Sequence, residues 1–142
     1  MSALHADDAA RGGLVDLGTP LAAEAALKVF FRICESQWHL DAEAQQALLG
    51  VSRSQFYAMR RQAPKALSRE LQERLSYVLR IFASLRILFP QDERTRQAWV
   101  HAPNAAPLFG GRTALSVMTE GWTGSLCRVA DYLDACRGGE FA

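Results

Sequence analysis

Apolar residues along this chain recur at intervals of three and four, the spacing that lines one face of a helix. Residues 1–18 lack this period and are rich in Ala, Asp and Gly, so they are expected to form a mobile N-terminal tail. Thr19 followed by Pro20 predicts a helix start, because a Thr side chain can accept from a free helical N–H and Pro is tolerated in the first turn. Leu21, Ala25, Leu27, Val29, Phe30, Ile33, Cys34 and Trp38 are the predicted buried stripe of that helix.

Asp41 is a second capping residue, and the stretch around it, DAEAQQALLGVSRSQFYAMRRQ, is more specific. A short helix over Ala42–Leu49 directs Ala44, Leu48 and Leu49 inward and stops at Gly50, a residue suited to the left-handed turn after a helix. Val51 fills the space beneath that turn. Ser52 caps a new helix, with Gln55 placed to close a capping box. Phe56 and Met59 face the core, while Arg53, Ser54, Gln55, Tyr57, Arg60 and Arg61 fall mostly on the outer side by the helical period. Two short helices joined by a Gly-containing turn, the second polar and basic outside, form a helix-turn-helix pattern. Arg53, Ser54, Gln55 and Tyr57 are the predicted base readers, since an Arg fork matches guanine and Gln can pair with adenine. Arg60 and Arg61, further along, are predicted to hold phosphates.

Pro64 ends that helix and Ser68 opens a long one, amphipathic at first through Leu71, Leu75, Val78 and Leu79. Further on, Ile81, Phe82, Leu85, Ile87, Leu88 and Phe89 surround much of the helix, so it needs cover on more than one side. The C-terminal helices, a second copy of the chain, or both can supply it; Ile81, Phe82, Leu85 and Leu88 are the predicted dimerisation contacts. Pro90 closes the segment, and Asp92 and Glu93 favour another start, anchored by Trp99 and Val100. The stretch NAAPLFGGRTALSVMTEG then holds an irregular loop, the pair Gly110–Gly111, a cap at Thr113, a helix over Ala114–Glu120 and a stop at Gly121. A last helix over Thr123–Arg137 carries Leu126, Val129, Ala130 and Leu133 on one face. The pattern is all-α.

Composition adds constraints. A chain of 142 residues, 49% of them apolar, forms one ordinary domain or two small ones sharing a core. Its longest apolar stretch, Tyr77–Phe89, is broken by Arg80, Ser84 and Arg86, so no membrane span is expected, and the N-terminus does not read as a signal or transit peptide. Cys34, Cys127 and Cys136 are unevenly spaced, as expected of reduced thiols in a cytoplasmic protein, and His5, His39 and His101 stand apart from them, so neither metal nor cofactor is expected. The net charge of +1 hides a local excess: Arg53, Arg60, Arg61, Lys65, Arg69 and Arg74 against Glu70 and Glu73. No nucleophile stands with a base, and Gly110–Gly111–Arg112 lacks the Lys-Ser/Thr pair of a phosphate-binding loop. Asp131 and Asp134 read as an exposed acidic edge. The expectation is a binding protein, not an enzyme.

The stretches WVHAPNAAPLFGGRTALSVMTEG and RVADYLDACRGG, between Trp99 and Gly139, resemble the toxin-binding domain of the MbcA/ParS/Xre antitoxin family. LLGVSRSQFYAMRR followed by LSRELQERLSYVLRIFASLRILFP resembles the Xre-like helix-turn-helix region that precedes it. The resemblance implies a type II antitoxin whose C-terminal domain blocks the NAD pocket of a RES-domain toxin, and whose N-terminal region dimerises and, in many members, represses the shared operon. It implies no activity of the antitoxin itself. Carried over by position, the matched residues include Trp99, Pro103, Asn104, Phe109, Gly110, Gly111, Arg112, Leu115, Gly121, Val129, Leu133, Arg137 and Gly138. Ala114 departs from the pattern, where Pro is common, which removes some preset geometry at a helix start.

The combined expectation is a tail over 1–18, a DNA-binding and dimerisation region over 19–90, and a toxin-binding domain over 91–142. Asn104, Phe109, Gly110, Gly111, Arg112, Arg128, Tyr132 and Arg137 are the predicted toxin contacts, and the expected partners are a RES-domain toxin, operator DNA and a second copy of the chain. The rival expectation is a stand-alone helix-turn-helix transcriptional regulator whose C-terminal half only dimerises.

Overall fold

A computed structural model describes residues 17–139, which form seven α-helices with no strand among them. In chain order they are α1 (Pro20–Arg32), continued by a π-helical turn over Ile33–Gln37, then α2 (Ala42–Leu49), α3 (Arg53–Arg61), α4 (Arg69–Leu88), α5 (Glu93–Trp99), α6 (Ala114–Met118) and α7 (Thr123–Arg137). The expected tail lies outside the described residues up to position 16. Leu17, assigned to that tail, is instead 4% exposed and packs into the core.

The starts follow capping chemistry. Thr19, Asp41, Ser52, Ser68, Asp92 and Thr113 each accept a backbone N–H at the head of α1 through α6. Helix α6 is shorter than expected, ending at Met118, because Thr119 leaves helical geometry before Gly121 is reached.

In α1 the predicted stripe was too broad. Ala23, Ala26, Leu27, Phe30, Ile33 and Cys34 are buried, whereas Leu21, Ala25 and Val29 are exposed. Those three recur every fourth residue on the face opposite Leu27 and Phe30, and the chain contains more apolar residues there than one buried face can use. The π turn is a second departure: the Trp38 N–H donates to the Ile33 carbonyl at 2.9 Å, five residues back, and apolar period alone does not reveal that extra residue.

Helix α4 organises the molecule. Its most extensive neighbour is α7, and it also packs on α1, α2 and α5, so the N-terminal and C-terminal helices share one core. The apolar excess in its second half is thereby explained within a single chain. Ile81 and Leu85 are essentially inaccessible, at 0% and 1% exposure, and Phe82 and Leu88 are half-buried, Phe82 lying edge-on to Trp38. Of the four predicted dimerisation contacts, Ile81 and Leu85 are therefore core residues with no surface left for a second copy.

Asp131 is exposed and Asp134 half-buried, and both are paired. Arg80 on α4 bonds both, Ser84 donates to Asp134 at 3.2 Å, and Arg137 donates to Asp134 at 3.3 Å. This network fastens α7 to α4.

Burial separates the cysteines chemically. Cys34 is fully buried, and loss of solvation, then the neighbouring Glu35 carboxylate, pushes its thiol pKa upward. An alkylating reagent is expected to modify half-buried Cys127 and Cys136 in the native protein and to reach Cys34 only on unfolding, as read by peptide mass spectrometry.

Candidate functional site

Two surfaces carry the predicted chemistry, one on α3 and one on the loop between α5 and α6. The first depends on the turn between α2 and α3. Gly50 adopts φ +67° and its N–H donates to the Gln46 carbonyl at 2.8 Å. Ser52 then closes the capping box: its hydroxyl accepts the Gln55 N–H at 3.2 Å, and its own N–H donates to Gln55 Oε1 at 2.9 Å. Phe56 and Met59 turn inward, Phe56 meeting Phe31 edge-on.

Arg53, Ser54, Gln55, Tyr57, Arg60 and Arg61 all lie on the exposed side of α3, but their duties differ. Arg53 stacks over the Tyr57 ring at 5.7 Å, so both side chains project together from the first turns. Gln55 has its carbonyl oxygen committed to the cap that its spacing predicts, which competes with its other expected role, because a bidentate pair with adenine needs both ends of the amide. Arg60 pairs with Glu35 and lies over the Phe31 ring at 5.1 Å, which ties α3 to the π turn. Arg61 has no ion pair among the described residues, so it is the more available of the two predicted phosphate contacts.

A buried cation holds this turn in place. Arg74 on α4 is 4% exposed; its Nη1 donates to the Ala47 and Leu48 carbonyls at 3.3 and 3.4 Å, at the C-terminal end of α2, and its Nη2 donates to the Gly121 carbonyl at 2.9 Å. Glu70, one turn earlier, accepts from the same guanidinium at 3.1 Å. The last carbonyls of a helix lack intrahelical donors and carry its negative end, so a guanidinium there satisfies both. The same group reaches the start of α7, joining the helix-turn-helix turn to the C-terminal region. Arg74 belongs to the local excess of cations along the chain, and nothing in its spacing reveals burial.

The second surface is a closed loop from Pro103 to Thr113, which pair as a short antiparallel bridge. Asn104 is its clasp. Its N–H donates to the Arg112 carbonyl at 3.0 Å, its carbonyl accepts from Gly111 at 2.8 Å, and its side-chain oxygen accepts from the Ala106 N–H at 3.0 Å. Gly110 and Gly111 stand at φ +58° and +90°, where a side chain is strained although no neighbouring atom would obstruct one. Phe109 is 1% exposed, its ring edge-on to Trp99 at 5.8 Å and to Tyr132 at 5.2 Å, so it anchors the loop rather than touching a partner. Tyr132 is half-buried as the other side of that anchor.

Glu120, which sequence reasoning passed over, gathers the cations. It accepts from Arg112 Nη1 at 2.5 Å and from the Ser125 hydroxyl at 2.8 Å, and Arg128 Nη2 lies 4.0 Å away. The Arg112 hydrogen bond, followed by the Ser125 one, holds the Glu120 carboxyl below the usual range, so the cluster stays ionised into mildly acid solution. Arg112 and Arg128 thus belong to one surface with Gly110 and Gly111. Arg137 does not: it sits at the far end of α7 and bonds Ser84 and Asp134.

Among the described residues no cluster of His, Cys, Asp and Glu is placed to hold a metal ion, and no helix is long and apolar enough to cross a membrane. The geometry is that of two candidate surfaces braced against one core. Residues 16–80 match the antitoxin Xre-like helix-turn-helix domain, and residues 84–139 match the antitoxin Xre/MbcA/ParS C-terminal toxin-binding domain. A relative, the "uncharacterized protein y4oB" of Sinorhizobium fredii (strain NBRC 101917 / NGR234), is 42% identical over 116 residues, covering 81% of this chain and 86% of that protein. With a helix-turn-helix region and a toxin-binding region matched in succession, the chain belongs to the Xre/MbcA/ParS family of antitoxins.

Proposed function

We propose that this protein neutralises a RES-domain, NAD-consuming toxin by covering its nucleotide pocket, and that it represses its own operon through α3. The carrying observation is the rigid loop of Asn104–Thr113, backed by Phe109 and edged by Arg112 and Arg128, within the region that matches a toxin-binding domain. A surface braced in this way loses little conformational freedom on binding, which favours tight occlusion. The chain acts by contact and has no enzymatic role. The toxin is the type II partner encoded beside it, and the pair works in the cytoplasm.

Co-expression tests the first half. The neighbouring gene product is expected to arrest growth and deplete or transfer from NAD when produced alone, and to be silent and co-purified when this chain is present. A neighbour that is harmless alone and does not co-purify leaves a stand-alone regulator as the better reading.

For DNA, α3 supplies the contacts. Arg53→Ala is expected to weaken operator binding about 10- to 100-fold and to relax preference at one base position. Arg61→Ala is expected to weaken all sequences alike and to lower the salt slope by about one ion. Fluorescence anisotropy at several salt concentrations reads both, and unchanged affinity in both variants would remove DNA recognition from this face. Homodimerisation belongs to the same proposal; with Ile81 and Leu85 in the core, half-buried Phe82 and Leu88 and exposed Leu21, Val29 and Ile87 remain to support it.

A further inference from the structure

We propose that Trp122 is the principal anchor for the toxin: its indole enters an apolar cleft on the toxin surface, with Arg112 and Arg128 meeting carboxylates at the rim of that cleft. This rests on the toxin partnership proposed above and identifies the side chain that dominates it.

Trp122 is 73% exposed, whereas Trp38 is 1% exposed and Trp99 is half-buried under the loop. An indole left in water gives up one of the largest apolar burials any side chain can make. Its place makes the choice more telling. Trp122 occupies the capping position of α7 and forms no side-chain cap, while α1 through α6 all begin with a Ser, Thr or Asp that does. The chain forgoes a stabilising cap at this point, a local conflict of the kind that marks functional positions.

The backbone that carries the indole is held from both sides. Gly121, at φ +98°, has its carbonyl bound by buried Arg74, the Trp122 carbonyl accepts from the Ser125 N–H at 3.1 Å, and the Thr123 hydroxyl donates to Glu70 at 3.4 Å. A large, stiff side chain on an immobilised backbone loses little entropy when covered, and Trp, Tyr and Arg dominate binding hot spots for that reason. Arg112 and Arg128 converge on Glu120, two residues before the indole in the chain.

The partner is a protein rather than nucleic acid. The predicted DNA contacts Arg53 and Arg61 stand on α3, whereas the indole lies at the head of α7. The position also falls inside the stretch that matches a toxin-binding domain, residues 84–139.

The test uses the full chain, its Trp122→Ala variant and the purified product of the neighbouring gene. Trp122→Ala is expected to weaken binding to that product by about 30-fold or more by calorimetry, while melting temperature, molecular mass and operator affinity stay as in the parent. In the parent, addition of the toxin is expected to shift indole emission to shorter wavelength and protect it from acrylamide, and in the variant to leave both nearly unchanged. If the parent binds and the variant binds within threefold, the anchor is disproved and the antitoxin reading stands. If the variant instead loses operator affinity or changes mass, the indole serves DNA or a second copy and the anchor is likewise disproved. A parent that does not bind the neighbouring product overturns both.

Discussion

Phe109→Ala is expected to lower the unfolding free energy by about 3–5 kcal/mol and the melting temperature by about 10–15 °C. The ring is 1% exposed and lies between Trp99 and Tyr132, which belong to α5 and α7, and its removal leaves a space those two stiff rings cannot readily close. The loop loses more than volume. The Phe109 carbonyl accepts the Arg112 N–H at 3.0 Å, and its N–H donates to Ala106 at 2.9 Å, so a drifting Phe109 backbone releases the segment that positions Arg112. Toxin affinity is expected to fall with stability, while operator affinity, measured well below the new melting temperature, persists because the ring's aromatic neighbours, Trp99 and Tyr132, lie on α5 and α7. Urea denaturation with calorimetry on both ligands checks the pair of outcomes; equal loss of both affinities would show that the loop and the helix-turn-helix unfold as one.

The second large effect is at Arg74. Arg74→Met keeps the length of the stem and removes every donor, leaving the Ala47, Leu48 and Gly121 carbonyls without the guanidinium, for a loss of about 2–4 kcal/mol. Glu70 is 66% exposed at its side chain and regains water, so no buried charge is stranded and the cost stays below that of breaking a fully buried ion pair. Gly50 supplies a control that isolates the contact. A Cβ on Gly50 would lie 2.7 Å from Arg74 Cζ, and the residue's φ is +67°, so Gly50→Ala suffers both a clash and backbone strain. In the Arg74→Met background the guanidinium is gone and only the backbone part, about 1–2 kcal/mol, should remain. A double-mutant cycle by chemical denaturation measures the difference; strict additivity would mean that Arg74 does not hold the turn.

Much of the architecture was legible along the chain because its signals are local. Thr19, Asp41, Ser52 and Thr113 announce helix starts through the chemistry of their own side chains, and Gly50 and Gly110–Gly111 announce turns through backbone angles that other residues resist. The site was legible in outline for the same reason, since Arg53 and Tyr57 share a helix face and Asn104, Gly111 and Arg112 close one loop. Where reading failed, the missing information was a partner distant in the chain. Arg60 looked free to hold phosphate, yet Glu35, far earlier in the chain, lies beside it.

Helix order, turn positions and the family likeness follow from residues near one another in the chain, since period, capping and glycine conformation act over four or five positions. Which apolar residues become core, and which cations become struts, depended on packing. Leu21 and Leu27 are chemically alike, yet α4 covers the face of α1 that carries Leu27 and leaves Leu21 in water. Arg74 and Arg61 carry the same charge, yet one is sealed among three carbonyls because α2 and the start of α7 converge on it, and the other remains in solvent for a ligand to claim.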